Sequence, residues 1–364
     1  MLDPNIPRPD DAAGFNAEAA SALQQAHAIV ASADDVEGVK QAAARIRTLA
    51  HQLAGDTDGA EPATRVISTV NDMLTRRVIE VVAADTVSGD PRWCWIALGS
   101  EGREEQTLSS DQDNGIIFEG SGESGRARLL GLAQRINDTL DACGFPLCKG
   151  NVMAGNPEWC LSLSEWKERF REWIFEGDPQ ALLNATIFFD LRPLYGAHAL
   201  AVELGDWLAQ EASGNQRFLY QMAANALQRE VPLGLIRRFA VERKGKYRGT
   251  IDLKMKAAAL FVDGGRIYGL ASGAHAVNTA DRFRLAVKAN RLHPSDAERW
   301  INGFHFIQSL RLKNQQACHR RGEEMHNHVA PSELDADDRA KLLDALRQAR
   351  HLHHRLVLDY PGIG

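Results

Sequence analysis

The residues from Gly99 to Asn114 read Gly-Ser-Glu-Gly-Arg-Glu-Glu-Gln-Thr-Leu-Ser-Ser-Asp-Gln-Asp-Asn. A Gly-Ser pair is followed, after ten residues, by Asp-x-Asp. Residues two apart on a strand share a face, about 6.5–7 Å apart along the chain. On that spacing Asp111 and Asp113 present two carboxylates side by side. Such a pair can hold two divalent cations about 3.5–4 Å apart. Mg²⁺ favours a few carboxylates completed by phosphate oxygens and water, and Mn²⁺ could take its place. Gly99 lets the backbone approach a phosphate, and the Ser100 amide and hydroxyl can donate to it. Arg103 can add a bidentate contact, or else pair with Glu101, Glu104 or Glu105. These are the parts of a nucleotidyl-transfer site, with Asp111 and Asp113 as its catalytic, metal-binding pair. Gln106 and Asn114 read as hydrogen-bonding scaffold. A calcium loop starting at Asp111 is excluded, because Gly115, Ile116 and Gly122 stand where ligands and the turn glycine are needed.

The surrounding pattern supplies elements to hold these groups. Trp93-Cys-Trp-Ile-Ala-Leu98 reads as a buried strand, and Asp111–Phe118 as a second one. A loop follows at Gly120–Gly125, then an amphipathic helix from Arg126 to Cys143, closed by Gly144. Leu147–Ala154 is the expected third strand. Ser162 or Ser164 can cap a helix reaching about Phe175. Upstream, after a Pro- and Asp-rich leader over residues 1–14, the segment 15–84 has helical periodicity, broken at Ala54–Ala60. Beyond Pro179 the reading finds no strand, only periodic helices punctuated by Gly and Pro. The expected fold is therefore α+β. A small mixed-sheet core (89–178) stands between an N-terminal helical region (1–88) and a C-terminal helical, substrate-binding domain (179–364). The N-terminal helices are expected to pack on the core, with the cleft between core and C-terminal bundle.

Taken together, Gly-Ser, the ten-residue spacer and Asp-x-Asp resemble the signature of the DNA polymerase beta-like nucleotidyltransferases. The longer string Ala97–Asn114 is similar to a bacterial nucleotidyltransferase family related to the N-terminal domain of the PII uridylyltransferase. Gly144-Phe-Pro-Leu-Cys148, Gly150-Asn-Val-Met-Ala154, Phe188-Phe-Asp-Leu-Arg-Pro193 and Ile251-Asp-Leu-Lys254 extend the resemblance from about residue 15 to the end. It implies Mg²⁺-dependent transfer of a nucleoside monophosphate from an NTP, with UTP favoured, to a protein or small-molecule hydroxyl, in a signal-transduction setting. Lys254, after the family-like Ile251-Asp-Leu, is the best candidate to grip the triphosphate. One departure stands out. Active members of the superfamily place a third carboxylate on the third core strand, and Leu147–Met153 contains none. Asp190 is the nearest acid, and its helix-like surroundings more simply suggest a structural pair with Arg192 or a cap. The alternative reading is a non-catalytic nucleotide-binding regulatory module on the same fold.

Composition limits the remaining classes. The chain has 364 residues, 44% hydrophobic and 25% charged, with a net charge of −6. That is too apolar for disorder and too acidic for a nucleic-acid coat, and its length fits two domains. Five cysteines without a CxxC pair fit free thiols in a reducing compartment. Neither a leader peptide nor a membrane span is read, so the expectation is a cytoplasmic protein with no membrane or nucleic-acid partner. The stretch Arg237–Lys256 carries Arg237, Arg238, Arg243, Lys244, Lys246, Arg248, Lys254 and Lys256 against Glu242 and Asp252. It is either a solvated face or a cleft wall for triphosphate or an acidic protein. His326-Asn-His328 lies in what reads as helix and is not taken as a metal site.

Overall fold

The computed structural model describes residues 17–56, 60–84, 92–120, 122–177, 182, 186–234 and 239–361. The leader over 1–14, Gly89-Asp90-Pro91, Pro179, and Arg237 and Arg238 of the basic stretch lie outside the described residues. The fold is α+β. The chain divides into two units. One is Met1–Trp166 with Leu191–Val202, and the other is Lys167–Asp190 with Glu203–Gly364. A short segment after residue 190 returns to the first unit.

In the first unit, the aromatic and β-branched run forms β1 (Trp93–Ala97). It pairs antiparallel with β2 (Asn114–Phe118), Trp93 opposite Phe118 and Ala97 opposite Asn114. β2 runs parallel to β3 (Cys160–Ser162) on one side. On the other side of β1 lies β4 (Arg192–Gly196), giving the order β3-β2-β1-β4. Helices α1 (Ala17–Ala31), α2 (Val36–Asp56), α3 (Ala60–Ala83) and α5 (Glu123–Ala142) share one core with this sheet. Ala26, Val39, Ile46, Val70, Val78, Trp95, Phe118, Leu132 and Ile136 all belong to it. Between β1 and β2 sits a single helical turn, α4 (Gly99–Gly102).

Within this sheet, two strand assignments depart from the sequence reading. Residues 147–154 form turns and bends, and the third strand is Cys160–Ser162. Lys149, Gly150 and Asn151 are turn formers, and Asn151 takes φ 54°. β4 lies in the half where no strand was expected. Its Pro193 has no N–H to donate, and β4 is an edge strand, where that is tolerated. The register with β1 shifts between Trp95 and Ile96, opposite Tyr195 and Pro193. After β3, Ser162 caps α6 (Leu163–Arg171) with reciprocal bonds. Glu165 N donates to Ser162 Oγ at 3.3 Å, and Ser162 N donates to Glu165 Oε2 at 2.8 Å.

The second unit is mostly helical. After a π-helical turn at Glu172–Glu176 and a 3₁₀ segment at Thr186–Asp190 come α7 (His198–Ser213), within which the division of units falls, and α8 (Gln216–Leu227). A π-helical turn (Lys254–Ala258) leads into α9 (Ala259–Ala271), followed by α10 (Thr279–Lys288), α11 (Pro294–Arg320) and α12 (Ala336–Asp359). Two short strands, β5 (Ile251–Asp252) and β6 (His328–Val329), pair antiparallel, so His328 lies in a ladder and not in a helix. Among the described residues no helix is long and apolar enough to cross a membrane.

Candidate metal and phosphate site

The site is built at one end of the β1–β2 ladder. Leu98 N donates to Asp113 O at 2.9 Å, one step beyond the Ala97–Asn114 pair. Gly99, which opens α4, therefore lies at the same end as Asp113. Its φ of 55° is the left-handed conformation that glycine adopts without a Cβ penalty. The turn closes through Gly102 N to Leu98 O at 2.9 Å and Arg103 N to Gly99 O at 3.0 Å.

Asp111 and Asp113 lie just before β2, in the segment leading into it. Burial alternates along this segment. Gln112 and Asn114 are buried, while Asp111 and Asp113 are half-buried. The inward amides form a network with Asn137 on α5. Asn137 Nδ2 donates to Gln112 Oε1 at 2.8 Å and to Asn114 Oδ1 at 3.0 Å. Gln112 Nε2 donates to Asn137 O at 3.0 Å and to Phe145 O at 2.8 Å. Backbone bonds from Gln112 N to Pro146 O and from Asn114 N to Val152 O extend the grip on the 145–152 segment.

That segment is launched by the end of α5. Gly144, at φ 93°, donates N–H to Asp141 O at 2.9 Å, and Phe145 N reaches Leu140 O at 3.0 Å. This is a Schellman closure, with glycine at the left-handed position. The chain then turns so that Cys148 arrives beside the aspartates. One ligand atom each from Asp111, Asp113 and Cys148 lies within 4.8 Å of the other two. No other such group of three exists among the described residues, so His326 and His328 join none. Burial first, then the Asp113 charge and a hydrogen bond to that carboxylate, push the Cys148 thiol up to about 11. Cations of the kind bound by carboxylate and thiolate sit about 2.0–2.6 Å from each donor, so small side-chain rotations would bring all three within reach of one ion. The two carboxylates suit a divalent cation, and the thiol adds a softer donor beside them. Sequence reasoning missed Cys148, although it lies in the very segment searched for a third acid.

The turn bearing Gly99 and Ser100 is held from below. Arg192 on β4 forms a two-pronged pair with Asp72 on α3, at 2.9 Å and 2.8 Å. The same guanidinium donates to Glu101 O at 3.0 Å and Gly102 O at 3.3 Å. Burial opposes the Arg192 charge, but the Asp72 carboxylate outweighs it and holds the guanidinium above its ordinary pKa. Gln106 is tied to the same helix, its N–H donating to Ser68 Oγ at 3.1 Å and its Oε1 accepting from Asn71 Nδ2 at 3.2 Å. Glu101 is buried in this turn. Loss of solvent, then repulsion by Asp72 and to a lesser extent Asp113, raises its carboxyl to about 8 against the pull of Arg192.

The structure places the other expected residues as follows. Ser100 is half-buried on α4. Arg103 Nε pairs with the buried Glu105 at 2.7 Å. Lys254 belongs to the second unit, where Asp252 Oδ1 accepts from its backbone N–H at 3.0 Å. Asp190 is fully buried in the second unit and does not pair with Arg192. It holds Arg266 at 2.7 Å and Arg282 at 2.6 Å. Two guanidiniums on one buried carboxylate make a structural triad, so Asp190 is withdrawn as a spare acid. The second unit also contains a cavity of about 460 Å³, with Lys246, Tyr247, Asn314, Arg321, His326 and His328 in its lining.

A family model described as "Putative nucleotidyltransferase DUF294" matches residues 44–180. A second, described as "Putative nucleotidyltransferase substrate binding domain", matches residues 216–360. The chain belongs to the nucleotidyltransferase family that these two domains define. A search of curated proteins gives no significant match.

Proposed function

We propose that this protein transfers a nucleoside monophosphate from an NTP to an acceptor hydroxyl. The observation that carries the reading is the convergence of Asp111, Asp113 and Cys148 at the end of the ladder where Gly99 and Ser100 begin their turn. Asp111 and Asp113 would hold the divalent cation, Mg²⁺ or Mn²⁺. When bound, such a cation neutralises phosphate charge. Gly99 and Ser100 would receive phosphate oxygens, oriented by the Arg192 clamp beneath the turn. Arg103, which pairs with Glu105 at 2.7 Å, and Lys254 are the candidates for a triphosphate contact. The acceptor hydroxyl loses its proton and attacks the α-phosphorus. The products are the nucleotidylated acceptor and pyrophosphate. UTP and a protein or small-molecule hydroxyl are the favoured substrates, on the resemblance to the PII uridylyltransferase. The match of residues 216–360 to a substrate-binding domain supports acceptor binding in the second unit.

A second reading has its own support. The turn at 147–154 carries no acid, and Asp190 is locked between two arginines. A site whose donor group, among the described residues, holds two carboxylates and a thiol fits a regulatory module that binds nucleotide without turnover. Incubation with each α-labelled NTP, Mg²⁺ or Mn²⁺ and candidate acceptors separates the two. The enzyme reading expects label on an acceptor and released pyrophosphate, both lost in Asp111→Asn/Asp113→Asn. Divalent-dependent NTP binding with no pyrophosphate from any of the four NTPs would establish the module instead.

A further inference from the structure

The geometry points to Cys148 as the ligand that selects the cation at this site, favouring a thiophilic divalent ion such as zinc or cobalt(II) over magnesium. This rests on the reading of Asp111 and Asp113 as metal ligands. Among the five cysteines, Cys94, Cys143, Cys160 and Cys318 are buried, whereas Cys148 is half-buried and reachable. Its Sγ lies within 4.8 Å of both carboxylates. A thiol that served only packing would not need the apparatus that delivers it. The Gly144 closure, the Gln112 contacts to Phe145 O and Pro146 O, and the Asn114 contact to Val152 O hold the chain on both sides of residue 148. Asn151 N also donates to Cys148 O at 2.9 Å, tightening the turn that carries the thiol.

The donor set decides the preference. Magnesium takes oxygen ligands in near-octahedral geometry and parts reluctantly with water. Thiolate is a soft donor and favours zinc and its neighbours. Two carboxylates with one thiolate form a mixed set that accepts zinc or cobalt(II) readily and gives magnesium only two of its three donors. In the free site the Cys148 thiol bonds to Asp113. As the sulfur–metal bond forms, the S–H bond breaks and the proton leaves to solvent.

The test uses the full chain and two readouts that need no activity. One is the sulfur-to-cobalt charge-transfer band on titration with Co²⁺. The other is the rate at which iodoacetamide alkylates Cys148 in the native protein, read by peptide mass. Co²⁺ or Zn²⁺ should slow alkylation at least about tenfold, and Co²⁺ should bring up the band, while equimolar Mg²⁺ does neither. Cys148→Ser should abolish the band and weaken Co²⁺ binding by ~10–100-fold. Cys148→Asp should bind Co²⁺ without the band and shift preference towards Mg²⁺. Bound Co²⁺ with no band and unprotected Cys148 would overturn the assignment while leaving the aspartate pair as a metal site. A band that survives in Cys148→Ser would also overturn it. Failure of every divalent cation to bind, with no NTP-dependent stabilisation, would overturn this inference and the parent reading together.

Discussion

Replacing Glu101 by Gln tests whether the turn beneath the site stores a neutral carboxyl. The side chain is buried, and its pKa moves from an ordinary 4.5 to about 8, first through lost solvation and then through Asp72. At about 1.36 kcal/mol per pH unit, that is a preference for the proton of about 5 kcal/mol. The sign follows from proton counting. Between 4.5 and about 8 the folded chain keeps a proton that the unfolded chain releases. Stability contributed by this group is complete below the lower value and is lost as pH rises through the upper one. Glu101→Gln is neutral throughout and lacks that slope. Urea unfolding of both proteins at intervals from pH 5 to pH 8, with EDTA present, gives the two profiles. Near pH 5 they should nearly coincide. By pH 8 the variant should be ahead by about 3–4 kcal/mol, with groups that do not interact with Glu101 cancelling in the difference. Parallel profiles would show that Glu101 ionises freely, and would refute the account of the turn as a desolvated platform braced by Arg192.

Three further outcomes follow from particular contacts. Asp190→Asn should cost about 3–5 kcal/mol of stability, because Arg266 and Arg282 lose their buried counter-charge; a loss below about 1 kcal/mol in urea unfolding would contradict the triad. Arg192→Lys keeps the charge but cannot reach Asp72, Glu101 O and Gly102 O together, so unfolding should show a loss of about 1.5–3 kcal/mol, and a neutral result would dissolve the clamp. Lys254→Ala should weaken NTP affinity at least about tenfold in a titration while the melting temperature holds; unchanged affinity would make this lysine an ordinary surface residue.

What could be read from the sequence was local. Asp111 and Asp113 announce themselves because two residues of one strand entry need no distant partner to share a face. Gly144 marks the end of α5 because a left-handed closure demands that residue type. The misreadings came from long-range contacts. The partner of Arg192 is Asp72, 120 residues away. Cys148 acquires meaning only through Asn137 and the amides of Gln112 and Asn114, and its own string reads as a weak strand. Nothing local in Arg192–Gly196 says that this stretch pairs with β1. The loss of solvent that raises Glu101 comes from packing that no motif encodes.

The late return of β4 bears on how the polypeptide is made. The first family match stops at residue 180, yet the strand that completes the sheet begins at Arg192. A polypeptide ending at 180 would leave the outer edge of β1, Cys94 to Ala97, with unpaired backbone groups on an aromatic strand. Bare edges of this kind invite aggregation. Asp72 would also stay buried without its guanidinium. On the ribosome the first unit must therefore wait, at about 5–20 residues per second, while residues 167–190 of the second unit are synthesised. Only then does its last strand emerge. Any holding factor that shields the nascent chain should be engaged during that interval, and expression of residues 1–180 alone should yield aggregate.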